Sequence, residues 1–167
     1  MAASRPPEIT PARSPWPVLQ SVREFSIQIL THTEHGFQTT LLGSGHLQVE
    51  HVDARGGAAV VWREKGRWTS GPLAGIPFHN SSEWRGLPET QAIELSHLRR
   101  GDASPTFLVR LEPTASGAWA SAEPHACGAD YYSAILHCNG EGLRLSWDVR
   151  SPSDAYRLVF DARIPSG

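Results

Sequence analysis

Hydrophobic and polar positions alternate along most of the chain. Phe25, Ile27, Ile29 and Thr31 fall on one side of an extended segment, and Ser26, Gln28 and Leu30 on the other. After a turn at Glu34-His35-Gly36, a long run from Gln38 to Val52 carries Gly43 and Gly45 inside it. A glycine within a strand marks a bend, a bulge or a close backbone approach. Beyond the turn from Asp53 to Gly57, Val60, Trp62, Glu64, Gly66 and Trp68 share a face. Ala59, Val61, Arg63, Lys65 and Arg67 face the other way, which is the two-residue period of a strand. A shorter segment holds Ile76, Phe78, Asn80 and Trp84, with a bulge expected at Ser81-Ser82. Ile93, Leu95, His97 and Arg99 form the next inward set, and Phe107, Val109 and Leu111 the one after it. Trp119 to Glu123 reads as a short strand. Tyr132, Ala134, Leu136 and Cys138 alternate with Tyr131, Ser133, Ile135 and His137. Strict alternation returns at Leu143, Leu145, Trp147 and Val149, and again at Tyr156, Leu158 and Phe160.

This pattern amounts to about ten short strands joined by Gly, Pro, Asn and Asp turns, as in an all-β sandwich or barrel. No long segment shows the 3.6-residue period of a capped helix. No self-similarity recurs at roughly 20–50 residues, which excludes a propeller or solenoid. Consecutive strands with tight turns predict an antiparallel up-and-down β-barrel, because closing a meander removes its exposed edges. A barrel of this size has room for side chains or one small ligand. Trp16, Val18, Leu19 and Val22 predict one short helical turn that closes off the core. Residues 1–17, with Pro6, Pro7, Pro11 and Pro15, predict a flexible tail ahead of a single domain at 18–167.

A chain of 167 residues suits one domain with a sizeable core. A net charge of -2 gives no footprint for nucleic acid or an anionic membrane. No apolar run approaches the roughly 20 residues of a membrane helix. The N-terminus lacks the apolar core of a secretory signal, so a cytoplasmic address is the default expectation. Cys127 and Cys138 are then expected as thiols. Lys65 is the one lysine among the 15 basic residues, and the arginines are expected on a solvated face. The six Trp change the picture more. Each carries a large apolar area with one polar handle, and together they suggest a wide interior with something to line.

Arg63-Glu64-Lys65-Gly66-Arg67-Trp68, His125-Ala126-Cys127-Gly128-Ala129-Asp130-Tyr131-Tyr132 and Trp147-Asp148-Val149-Arg150-Ser151-Pro152 occur in that order, after Gly43-Ser44-Gly45. Together they resemble domain of unknown function 6314, a small family of bacterial and fungal proteins, over roughly Val22 to Arg163. The second motif matches the family's H-x-C-x-x-D-x-Y pattern. Where the family continues its third motif with Gly-Pro and basic residues, this chain has Ser151-Pro152-Ser153-Asp154. The resemblance implies a lipocalin-like, calycin-type barrel and no assigned activity.

Three groups of side chains are candidates for chemistry. Glu64 shares a face with Trp62 and Trp68, and a carboxylate between two indoles is desolvated, as a general acid or base requires. Its plainer role is an ion pair with a neighbouring Arg. His97 and Arg99, on one face, can hold a carboxylate ligand or bond to rim carbonyls. His125, Cys127, Asp130 and Tyr132 carry the densest chemistry. They fit no standard zinc spacing. A Cys127 nucleophile beside His125 is open, since i, i+2 side chains at a strand start can point the same way, and an axial haem histidine finds no support elsewhere in the chain. Their alternative is a latch, with Asp130 capping the Gly128-Ala129 turn and His125 bonding to Tyr132.

The expectation is therefore a barrel that binds a small, largely apolar molecule, with no metal and no cofactor. Trp62, Trp68, Phe78, Trp84 and Trp147 would line the site, and Glu64, Asn80, His97, Arg99, His125 and Tyr132 would orient the ligand. An enzyme using Glu64 or His125 for hydration, isomerisation or hydrolysis is the alternative. A protein-interaction module with the tryptophans outside is the third.

Overall fold

Extended segments leave their backbone N–H and C=O groups unpaired, so each must find a neighbour. A computed structural model describes residues 13–54 and 57–167, and in these the alternating segments pair antiparallel throughout. The described strands are β1 (Glu24–Thr33), β2 (Gly36–Ala54), β3 (Gly57–Trp68), β4 (Pro77–Gly86), β5 (Ile93–His97) and β6 (Thr106–Pro113), followed by β7 (Trp119–Ala120), β8 (His125–Cys127), β9 (Asp130–Cys138), β10 (Gly142–Arg150) and β11 (Ala155–Arg163). Strands β1 to β6 follow one another around the wall, and β9, β10 and β11 complete it. The ladder from β1 to β11, which sets Phe25 opposite Ala162 and Ile29 opposite Leu158, closes the ring.

Strands β7 and β8 share one edge of β9. Trp119 of β7 pairs with Leu136, and His125 of β8 pairs with Tyr132. They act as two pieces of one broken strand, so the result is a closed ten-strand antiparallel barrel. The first twelve residues of the expected tail, and residues 55 and 56 of the expected turn, lie outside the described residues.

The short N-terminal helix forms as the apolar spacing predicts. Helix α1 (Trp16–Ser21) buries Val18 and Leu19, and Val22 follows it into the core. The Trp62 indole N–H donates to the Leu19 carbonyl at 2.9 Å. That bond ties the helix to the barrel end at which β1 begins, and the apolar core fills this end.

Two expectations about strand irregularity are corrected. No bulge occurs at Ser81-Ser82, because β4 stays in register with β3 across both residues. The register shifts instead between Ile29 and Leu30 and between Leu95 and Ser96. Strand β7 is also shorter than the predicted Trp119–Glu123, ending at Ala120.

Gly43 and Gly45 mark close approach. A Cβ on Gly45 would collide with the Lys65 carbonyl and the Gly66 Cα, which lie directly behind it. On Gly66, the pairing residue, a Cβ would meet the rings of Phe78 and Phe25. The glycines thus let two aromatic rings lie on the backbone where the wall curves. Replacing Gly45 by alanine is expected to cost about 1–3 kcal/mol through overpacking against backbone that cannot give way. Urea unfolding would read this, and an unchanged midpoint would refute it.

The outer wall is polar. Arg144 pairs with Asp161 at 2.7 Å, Arg157 with Asp148 at 2.6 Å and Arg63 with Glu50 at 2.8 Å. Such exposed pairs add about 0–1 kcal/mol each, so they set solubility more than stability.

Candidate functional site

The half of the barrel away from α1 is not filled. A cavity of about 310 Å³ lies there, with Ile27, Ile29, Leu95, Leu108, Leu145 and Leu158 on its aliphatic side. Trp62, Trp68, Phe78, Trp84, Trp147 and Phe160 provide its aromatic side. At its floor the Trp62 and Trp84 rings meet with centroids 4.9 Å apart, and Phe160 stacks on Trp62 at 6.1 Å. Trp68 and Phe78 meet at 4.7 Å on neighbouring strands. The period of two puts these rings inside, since each strand sends every second side chain inward.

Four polar side chains interrupt this lining: Glu64, Asn80, Ser82 and His97. They arrive from three adjacent strands. Glu64 lies opposite Asn80 across β3 and β4, and Ser82 lies opposite His97 across β4 and β5. The Asn80 amide nitrogen donates to both Glu64 oxygens at 3.4 Å. His97 Nε2 sits 2.6 Å from the Asn80 amide oxygen. With that oxygen as acceptor, Nε2 carries the ring proton and Nδ1 is left free to accept.

Glu64 is buried, and burial raises its carboxyl to about 7; the bond from Asn80 pulls weakly the other way. None of the ion pairs among the described residues includes Glu64. Burial lowers the His97 pKa, Arg99 lowers it further, and Asp102 opposes both. The Trp84 indole N–H is buried and has no partner among the described residues. Leaving such a group unmatched costs about 1–3 kcal/mol.

Of the residues named from the sequence, Trp62, Glu64, Trp68, Phe78, Asn80, Trp84, His97 and Trp147 come together in this lining. Arg99, His125 and Tyr132 do not. Strand β5 ends at His97, so Arg99 leaves the inward-facing series and is exposed. His125 and Tyr132 are cross-strand partners, but no hydrogen bond joins their side chains among the described residues. The His125 ring meets Phe107 edge-on instead, with centroids 4.9 Å apart.

That contact gives the His125–Tyr132 motif a place in the fold. Strand β6 pairs with β7 through only Glu112 and Pro113, and no ladder joins β6 to β8. Phe107 on β6 and His125 on β8 therefore meet across an unladdered seam. Neither bond of the expected latch, His125 to Tyr132 or Asp130 to the Gly128-Ala129 turn, forms among the described residues, and the His125 ring packs on Phe107. Burial and the neighbouring Asp130 raise the Tyr132 pKa, with Cys127 adding to this and Arg99 opposing it. Both cysteines are free. Cys127 is exposed, whereas burial pushes the Cys138 thiol up to about 12, which leaves it unreactive. No three His, Cys, Asp or Glu side chains converge as a metal site among the described residues.

Ile27, Ile29, Ser82, Leu95, Leu108, Leu145, Leu158 and Phe160 also line the cavity without having been named as site residues from the sequence. Ser82 and Leu158 fall in the inward series of β4 and β11, and alternation alone could have found them. Leu108 could not be found that way. The bulge at Leu95/Ser96 pairs Leu95 with Val109 and Ser96 with Phe107, which skips Leu108 and releases it to the interior.

A model described as a family of unknown function (DUF6314) matches residues 20–161. No curated protein matches the chain. The match takes in β1 to β10 and most of β11, and so the whole cavity. The chain belongs to the DUF6314 family.

Proposed function

We propose that this DUF6314 barrel binds one small, largely apolar molecule in its interior. The observation that carries the reading is the 310 Å³ cavity, walled by aromatic and aliphatic side chains with a few polar groups set among them. Its volume is near the lower end of the roughly 300–1,000 Å³ typical of small-molecule sites.

Prodan, a small neutral dye whose emission shifts in apolar surroundings, tests the reading. It is expected to bind saturably, one per chain, and to quench tryptophan emission by energy transfer. Leu158→Trp, which places a larger ring in the cavity, is expected to abolish that binding while the protein still unfolds cooperatively. Absence of saturable uptake, or equal uptake by the filled variant, would sink the proposal.

One observation favours a second reading. Glu64 and His97 are bridged by Asn80 inside one cavity, and Glu64 is held near neutrality. An acid/base pair poised in this way suits hydration, isomerisation or hydrolysis of a small molecule. Binding and catalysis separate at Glu64→Gln, which an enzyme would answer with lost turnover and retained uptake of prodan.

A further inference from the structure

We propose that the ligand is an organic cation, an amine or quaternary ammonium on an apolar body, with Glu64 as its counter-ion and tryptophan rings in the same lining. The inference rests on the cavity-binding reading and names the class of molecule that the cavity takes.

Charge complementarity carries the argument. Among the described residues, Glu64 and His97 are the only titratable side chains in the cavity lining, and no Lys or Arg lines it. A buried carboxylate is costly unless a cation or several short hydrogen bonds compensate it. Glu64 has only the two 3.4 Å contacts from Asn80, both long for hydrogen bonds. An anionic ligand would meet this carboxylate with no basic side chain to offset it. His97 supplies no such charge, because burial and Arg99 hold its pKa low and keep the ring neutral. A neutral apolar ligand would fill the space and leave Glu64 either protonated or uncompensated. A cation removes the deficit.

The walls fit the same occupant. Trp68 on the inward face of β3 with Glu64, and Trp147 on β10, are half-buried and line the cavity, whereas Trp62 and Trp84 are buried in its floor. A cation over an indole face gains about 0.5–2 kcal/mol, the larger value when both are desolvated. The rings of Trp68 and Trp147 and the carboxylate of Glu64 share one lining, and the aliphatic side chains of β1 and β11 complete it for the remainder of the ligand.

Three probes of similar size test this on the full chain: benzyltrimethylammonium, its neutral carbon isostere neopentylbenzene, and phenylacetate. Tryptophan emission and calorimetry read affinity at about pH 8, where Glu64 is ionised. The cation is expected to bind at least about tenfold more tightly than the isostere, and phenylacetate more weakly than either. Glu64→Gln is expected to erase the preference for the cation and retain the isostere. In the wild type, acidification protonates Glu64 as pH falls through about 7. Cation affinity should then drop by up to about tenfold per pH unit, while isostere affinity holds steady.

Protonation of His97 would act in the same direction, so the pH profile of Glu64→Gln separates the two groups. The wild-type profile also stands if that variant fails to fold. Prodan uptake without a preference for the cation overturns this inference and leaves the cavity-binding reading in place. A preference that persists in a folded Glu64→Gln protein also overturns it. Failure of all three probes and of prodan overturns both readings.

Discussion

Replacing Trp62 by alanine is expected to lower the unfolding free energy by about 4 kcal/mol, the range of large aromatic deletions in a core. Three losses combine. The indole is almost completely buried and packs on Trp84 and Phe160, so its removal opens a void beneath the cavity. Its N–H no longer reaches the Leu19 carbonyl, which stays in apolar surroundings without that donor. Helix α1 loses its hydrogen-bonded tie to β3, so the barrel end that it covers loosens. Trp62→Phe keeps part of the packing but removes the donor and one ring, with an expected loss of about 2–3 kcal/mol. Urea unfolding followed by far-ultraviolet circular dichroism measures both. An alanine variant within about 1 kcal/mol of the wild type would show that the floor relaxes and that the tie carries no weight.

Glu64 is expected to make the protein less stable as pH rises, the reverse of the usual behaviour of a paired carboxylate. Its pKa rises from 4.5 to about 7 in the folded state because burial penalises the charged form. Between those values the folded chain holds a proton that the unfolded chain has released. Stability therefore falls as pH increases through this window and levels off above about 7. The gap, at about 1.36 kcal/mol per pKa unit, comes to roughly 3 kcal/mol. Glu64→Gln removes the titration and keeps the shape. Relative to that variant, the wild type should be comparable near pH 4.5 and weaker by roughly 3 kcal/mol near pH 8. His97, with its lowered pKa, contributes a trend of opposite sign. Taking the difference between wild type and variant cancels it. Unfolding curves at a series of pH values give the comparison, and a pH-independent difference would mean that Glu64 is solvated. A bound cation should reverse the trend, because it favours the ionised form that the empty cavity penalises.

Much of the site can be read along the strands, since a period of two needs no tertiary information. Trp62, Glu64 and Trp68 share a face by counting, and Phe78, Asn80 and Trp84 do the same on the next strand. The glycines at 43 and 45 are legible as points of close approach, although only the structure names the Phe25 and Phe78 rings that cover the paired glycine at 66. The His125–Tyr132 motif is legible as a dense cluster, and only the structure puts it outside the cavity lining. Residue types reveal what a cluster can do, and its position in the closed barrel decides whether a ligand can reach it.

By itself, the sequence determined an all-β chain of alternating strands, a helical turn at Trp16–Val22 and an inward face crowded with indoles. These follow from local rules, because alternation and turn residues act over a few positions. The tertiary structure alone decided that β7 and β8 share one edge of β9, and that Leu108 enters the cavity through a bulge. It also decided that His97 and Asn80 join Glu64 while Arg99 is left outside. Each of these depends on register between strands distant in sequence or on where a ladder ends. A one-residue shift in either exchanges inside for outside.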